Sequence, residues 1–232
     1  MRREQTNKIR YVLEDLLPPI LRDSAIFRTA AGMVWGPHIA RLADFRARAP
    51  FLTEDEYSRL YHDHPRVHAE TDNSEACIRR IVEDTSGPDI CDVGCGTGAL
   101  LRRILDARSD IRRAVGVDII IDGAEPVEGV EYVAAPVENL PFPDASFDTV
   151  VCTHVIEHIL DYRKAIAELR RIARRQLIIV VPREREYRYT FNPHFNFFPY
   201  THSFLRAMHP VPPVHECMDL QRDIYYREEI AE

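Results

Sequence analysis

The sequence predicts a doubly wound α/β fold preceded by a helical region. Three observations carry that expectation. From Asp72 onward, short apolar runs alternate with amphipathic stretches. A glycine-rich turn, Gly94-Cys95-Gly96-Thr97-Gly98, joins a run that reads as a strand to one that reads as a helix. Residues 1–72 show no strand-like alternation at all.

Along the chain, Ile9, Val12, Leu13, Leu16 and Leu17 form a helical stripe that stops at Pro18-Pro19. A second apolar helix follows, then a third over His38 to Arg48, ended by Pro50. Thr53 and Glu56 have capping-box spacing and open a short helix through Tyr61. This zone, 1–72, is expected to form a cap or lid; an extra packing layer or a dimer surface explains it equally well. The core is expected over 73–232. Asp72-Asn73-Ser74 caps a helix to Asp84. Parallel strands are expected at Ile90–Val93, Ala114–Val117, Glu131–Ala134, Asp148–Cys152 and Leu177–Val181, since short β-branched runs between helices mark a sheet buried on both faces. Helices are expected at Gly98–Ala107 and Asp161–Arg174, and antiparallel strands at Val214–Met218 and Ile224–Tyr226.

Composition removes several function classes. The chain has 232 residues and a net charge of −7. A nucleic-acid partner is therefore disfavoured, because displacing counterions from phosphates calls for a basic surface. No apolar run reaches the roughly 18 residues of a membrane span, and no apolar segment follows the charged start, so a cytoplasmic protein is expected. The five cysteines are odd in number and lack CxxC spacing, against a disulfide framework.

The turn from Asp92 to Gly98 suits a nucleotide-like ligand. Glycines let the backbone approach closely, and the helix start adds oriented N–H donors. Asp118 ends the next strand, about twenty residues on, where a carboxylate can hold ribose hydroxyls. Alone, this pattern fits a nicotinamide dehydrogenase as well. Three features separate the two: Asp92 directly before the turn, the GxGxG spacing, and the stretch Glu138-Asn139-Leu140-Pro141-Phe142-Pro143-Asp144-Ala145-Ser146-Phe147-Asp148. With these, residues 75–182 resemble the class I S-adenosylmethionine-dependent methyltransferases, which have a Rossmann-like core. The resemblance implies that Gly94, Gly96 and Gly98 cradle the methionine part of S-adenosylmethionine, with Asp92 supporting the turn and the cofactor's amine. It implies that Asp118 grips the ribose, Ile119 packs on the adenine, the backbone at Val137 and Glu138 reads the adenine edge, and Thr153 lies near the methionine end. Pro136-Val137 stands where the family often has Asp-Ala; Glu138 either replaces the missing carboxylate or caps a helical turn.

The stretch His154-Val155-Ile156-Glu157-His158 follows the fourth strand, at the sheet edge where such folds bind ligands. As a helix it would bring His154, Glu157 and His158 to one face. It resembles the ExxEH of two metal-assisted methyltransferase subgroups, with His for Glu, and His194 falls where one of them adds a further histidine. Two versions follow. Either His158 or His194 is a general base, or His154, Glu157, His158 and His194 hold a divalent metal. Plainer roles are a His158 packed against substrate and a His194 holding a loop. The aromatic segment Phe191 to Phe204 suggests an acceptor pocket or a lid edge, with Phe197 or Phe198 in the core. Tyr57, Tyr61, His62, His64 and His68 are weaker candidates from the cap. The expected activity is methyl transfer to a small-molecule hydroxyl, on a sugar or natural-product scaffold. An RNA 2′-O-methyltransferase and a cofactor-binding partner subunit without turnover are the alternatives. A homodimer is compatible with the helical N-terminal zone.

Overall fold

In a computed structural model, the residues described are 11–35, 45–53, 56–57, 59, 71–121, 127–186, 188 and 193–230. Tyr61, His62, His64 and His68 lie outside them, as do residues 1–10 and most of the expected third helix. Contacts divide the chain into one unit of Met1–Ala69 with Glu184–Phe197, and another of Glu70–Arg183 with Phe198–Glu232.

The first unit is built from short helical pieces. A π-helical turn spans Val12–Leu16, where the sequence predicts an ordinary helical stripe. Leu17 N–H donates to the Val12 carbonyl at 2.8 Å, and Pro18 then breaks the run. Helix α1 (Pro19–Arg22) starts on a proline, whose fixed φ suits the first helical position. Buried Arg22 donates back to the Leu13 carbonyl at 3.2 Å. Helices α2 (Ala25–Trp35) and α3 (Phe45–Arg48) follow, then a 3-10 turn at Ala49–Phe51 that contains Pro50. The Thr53/Glu56 capping box forms: Thr53 N–H donates to Glu56 at 2.9 Å, and Glu56 N–H to the Thr53 hydroxyl at 3.3 Å.

The second unit is a seven-stranded sheet in the order β3-β2-β1-β4-β5-β7-β6. The strands are β1 (Asp89–Val93), β2 (Arg113–Asp118), β3 (Val130–Ala134), β4 (Phe147–Thr153), β5 (Ala173–Pro182), β6 (His215–Leu220) and β7 (Asp223–Glu229). The first five are parallel; β7 runs antiparallel to β5, and β6 antiparallel to β7. All seven expected strands are present, and the doubly wound class stands. Most strands run a residue or more past their expected ends, β5 and β7 furthest. Helix α6 (Tyr162–Ile172) ends earlier than Arg174 because β5 begins at Ala173. Strand β6 starts one residue late and runs on to Leu220.

Strand alternation sorts the core into two faces. On one side, Cys77, Ile78 and Ile81 of α4 (Glu75–Asp84) and Leu100, Leu101 and Ile104 of α5 (Ala99–Ala107) pack with Ile90, Val151, Ile178 and Val180. On the other, Ile166, Leu169 and Ile172 of α6 and Phe204 of α7 (Thr201–Ala207) pack with Cys91, Val93, Val150 and Ile179. Phe198 joins this second face, edge-on to Phe204 at 5.1 Å between ring centroids. All the carboxyl ends of β1, β2, β4 and β5 therefore meet at one edge of the sheet. Antiparallel β7 begins at that same edge, with Asp223 opposite Pro182.

Candidate functional site

The turn after β1 is held from below by β2. Gly94 N–H and Cys95 N–H both donate to the Val117 carbonyl, at 2.7 and 3.0 Å. This tight reversal requires positive φ at Gly94 (80°) and Gly98 (81°), a region costly for residues with a Cβ. At Gly94 a Cβ would also collide with Val155, and at Gly98 with the Tyr132 hydroxyl. Gly98 is the N-cap of α5 and offers no side chain to the first N–H groups of that helix. An anionic ligand group suits such a helix start.

Asp92 lies under this turn, 1% exposed, and neither carboxylate oxygen has a hydrogen-bond partner. Burial, reinforced by the nearby Asp118 charge, pushes its pKa up to about 7. Asp118, at the end of β2, accepts from Gly96 N–H at 2.9 Å and from Ile120 N–H at 3.1 Å. Its carboxylate thus ties the glycine turn to the arm that continues into Ile119, whose side chain is 42% exposed. Val137 is buried and Glu138 half-buried, in a turn closed by Asn139 N–H to the Pro136 carbonyl at 3.0 Å.

The loop after β4 differs from a helix. His154 adopts φ 56°, and only Ile156–His158 forms a single 3-10 turn. The expected helical face shared by His154, Glu157 and His158 is therefore not formed. His154 turns in the left-handed region, while its N–H donates to the Val180 carbonyl at 2.9 Å. Such a conformation in a histidine is uncommon and clusters at functional sites. Its Nδ1 lies 3.5 Å from Glu157 and its Nε2 4.0 Å from Asp223. Burial on its own would pull the imidazole pKa down. The hydrogen bond to Glu157 and the charges of Asp223, Glu157 and Asp72 outweigh it, and the pKa is raised. Thr153 accepts a 2.8 Å hydrogen bond from the Asn73 side-chain amide. Asn73 thereby does more than the helix-capping expected of it; Ser74 is the cap, accepting from Cys77 N–H at 3.2 Å.

His194 belongs to the other unit. There its Nδ1 lies 2.5 Å from Glu184, and neighbouring Phe195 packs on Phe45 at 4.9 Å and Tyr57 at 5.9 Å between ring centroids.

The marker stretch Glu138–Asp148 proves to be a brace. Arg171 of α6 donates to the Phe142 carbonyl at 2.6 Å and the Leu140 carbonyl at 3.0 Å, and meets Glu168 at 2.7 Å and Asp144 at 3.0 Å. Buried Asp148 accepts from Asp89 N–H at 3.2 Å and from Arg174 at 3.0 Å, joining the starts of β1 and β4 to β5. Three residues escaped the sequence reading: Asp223, Asn73 in its link to Thr153, and Tyr132. Asp223 carries no local motif; only the antiparallel register brings it to the site.

Comparison with known proteins agrees with this layout. Residues 91–181 match the methyltransferase domain family. An uncharacterized methyltransferase of Bacillus subtilis, YcgJ, is 32% identical over 92 residues, covering 36% of this chain and 35% of that protein. A probable S-adenosylmethionine-dependent methyltransferase of Mycolicibacterium smegmatis is 29% identical over 136 residues, covering 51% of this chain and 46% of that protein. The chain thus spans less than half the length of these relatives. Other relatives are named as O-, N- and C-methyltransferases. Among solved structures, a methyltransferase from Aquifex aeolicus superposes with a TM-score of 0.53 at 15% identity, covering 78% of this chain and 100% of that one. At that identity the likeness speaks for the fold. Among the described residues, no helix is long and apolar enough to cross a membrane.

Proposed function

We propose, from the match of residues 91–181 to the methyltransferase domain family, that this chain is a class I S-adenosylmethionine-dependent methyltransferase that transfers a methyl group to a hydroxyl of a small molecule. The observation that carries the reading is the buried carboxylate of Asp92, both oxygens without a partner, beneath a glycine turn that admits no side chain at Gly94 or Gly98. A buried unpaired carboxylate is costly, and the cofactor's ammonium is the kind of group that would balance it. The residues present fit the cofactor. Asp92 would take the amine and Gly94, Gly96 and Gly98 the methionine part. Asp118 would take the ribose, Ile119 the adenine face, and Val137 and Glu138 its edge. Thr153 would lie near the methionine end. When bound, the cofactor supplies an activated methyl on a sulfonium.

What remains for the chain is to align the acceptor and remove its proton. Alignment alone supplies much of the rate in such transfers. His158, on the turn after β4, is the favoured base, and His194 the second candidate. Base assistance is preferred to metal assistance by His154, Glu157, His158 and His194, because His154 already lies against both Glu157 and Asp223. The net charge of −7 supports a small acceptor over RNA.

Titration calorimetry with S-adenosylmethionine and with NAD tests the cofactor; binding of NAD alone overturns the reading. A screen of hydroxylated acceptors with methyl-labelled cofactor then tests the transfer, before and after chelation. Label found only on nitrogen or carbon would refute the hydroxyl assignment. Activity lost on chelation and restored by one metal would favour the metal version.

A further inference from the structure

Tyr132 stands in the middle of β3, with Gly116 of β2 as its register partner. Gly116 has ordinary strand φ, so its value lies in the missing side chain. A Cβ there would stand 3.1 Å from two atoms of the Tyr132 ring and 2.9 Å from Cys95 Sγ. The phenol ring lies across the strand where a side chain would otherwise rise. Its hydroxyl reaches Gly98, so closely that a Cβ at that glycine would collide with it. The same hydroxyl is hydrogen-bonded by the Val127 backbone, at the far end of the loop that leaves β2. One side chain therefore touches the turn from Gly94 to Gly98 at its Gly98 end and the segment at Val127 that leads into β3. The same turn is tied to the end of β2 by Gly96 N–H to Asp118 at 2.9 Å.

We propose that Tyr132 is a positioning residue for the cofactor cradle, its hydroxyl fixing the Gly98 end of the glycine turn against the Val127 segment that leads into β3. This rests on the cofactor assignment above. The contact is with backbone on both sides, so the hydroxyl acts through the cradle's shape. The ring is the prop and the hydroxyl is the stop. Deleting the hydroxyl leaves the ring packed over Gly116 and slackens the turn at Gly98. The cost then falls on ligand binding, which needs the turn held in place at Gly98, more than on folding, which needs only the packed ring.

The test compares Tyr132→Phe with Tyr225→Phe. Tyr225 also loses a hydroxyl hydrogen bond, to Asp84 at 2.7 Å, but on α4 and away from the cradle. S-adenosylhomocysteine, the demethylated product, is the probe in calorimetry, and thermal unfolding is measured in parallel. Tyr132→Phe is expected to weaken binding about three- to tenfold, the range of one neutral hydrogen bond. Tyr225→Phe is expected to lower the unfolding midpoint and leave affinity as in the wild type. Wild-type affinity in Tyr132→Phe overturns the proposal, as does equal weakening by both variants. A wild-type protein that binds no S-adenosylhomocysteine overturns the cofactor assignment instead, so the two failures are distinct.

Discussion

The two halves of the sheet's carboxyl edge are built on opposite principles. On the β1/β2 side, the backbone does the shaping, and Asp92 is left buried with no partner. On the β4/β7 side, buried charges answer one another: His154 sits between Glu157 and Asp223, and Thr153 takes a bond from Asn73. Under the proposed function, the first side is the one that a ligand's ammonium would complete. The second already holds an imidazole between two buried carboxylates, Glu157 and Asp223.

The largest expected effect that sharpens the contrast is on turnover. His158→Asn should lower the methyl-transfer rate about a hundredfold or more, the scale of one general base, while calorimetric affinity for S-adenosylhomocysteine is kept. If His194→Asn shows the loss and His158→Asn does not, the base is His194. Next, His154→Ala leaves Glu157 and Asp223 buried without their imidazole. Denaturant unfolding should show a loss of about 3 kcal/mol, as for removing one partner of a buried ion pair. Unchanged stability would break the picture of an imidazole that offsets these buried carboxylates.

Asp92→Asn should move the two observables in opposite directions. It removes an unpaired buried charge, so the free protein's unfolding midpoint should rise. It also removes the ammonium's partner, so cofactor affinity should fall roughly tenfold to a hundredfold, the worth of a hydrogen bond between charged groups. A drop in both would show that the carboxylate is structural.

The last prediction concerns pH. Asp92 is an acid whose folded pKa is raised to about 7, so below about pH 7 its neutral form is favoured in the free protein. Any stability it confers is fully present at acid pH and is lost as pH rises toward 7. Binding the ammonium requires the ionised form. Affinity should therefore fall as pH drops below about 7, approaching tenfold per pH unit for a single linked proton. Asp92→Asn should flatten that profile; a wild-type profile flat from pH 5 to 8 would contradict the assignment.

Legibility followed the range of the interactions. The strands, the glycine turn and Asp118 were readable because each rests on local rules: alternation, tight turns, and a carboxylate at a strand end. The marker stretch to Asp148 was readable as pattern, though its work as a brace for Arg171 and Arg174 is tertiary. The helical arrangement considered for His154 to His158 does not form. Backbone bonding of His154 to Val180 on the neighbouring strand outweighs local helical spacing, and a left-handed residue breaks the run.

By itself, then, the amino-acid order determined the α/β class, the place of the glycine turn and the carboxylate that ends the next strand. Those features depend on contacts within a few positions of one another. Only the tertiary structure decided that Asp92 is left without a partner, that His154 lies between Glu157 and Asp223, and that Tyr132 reaches Gly98. Each of these joins residues far apart in sequence, through a strand register that no single segment encodes.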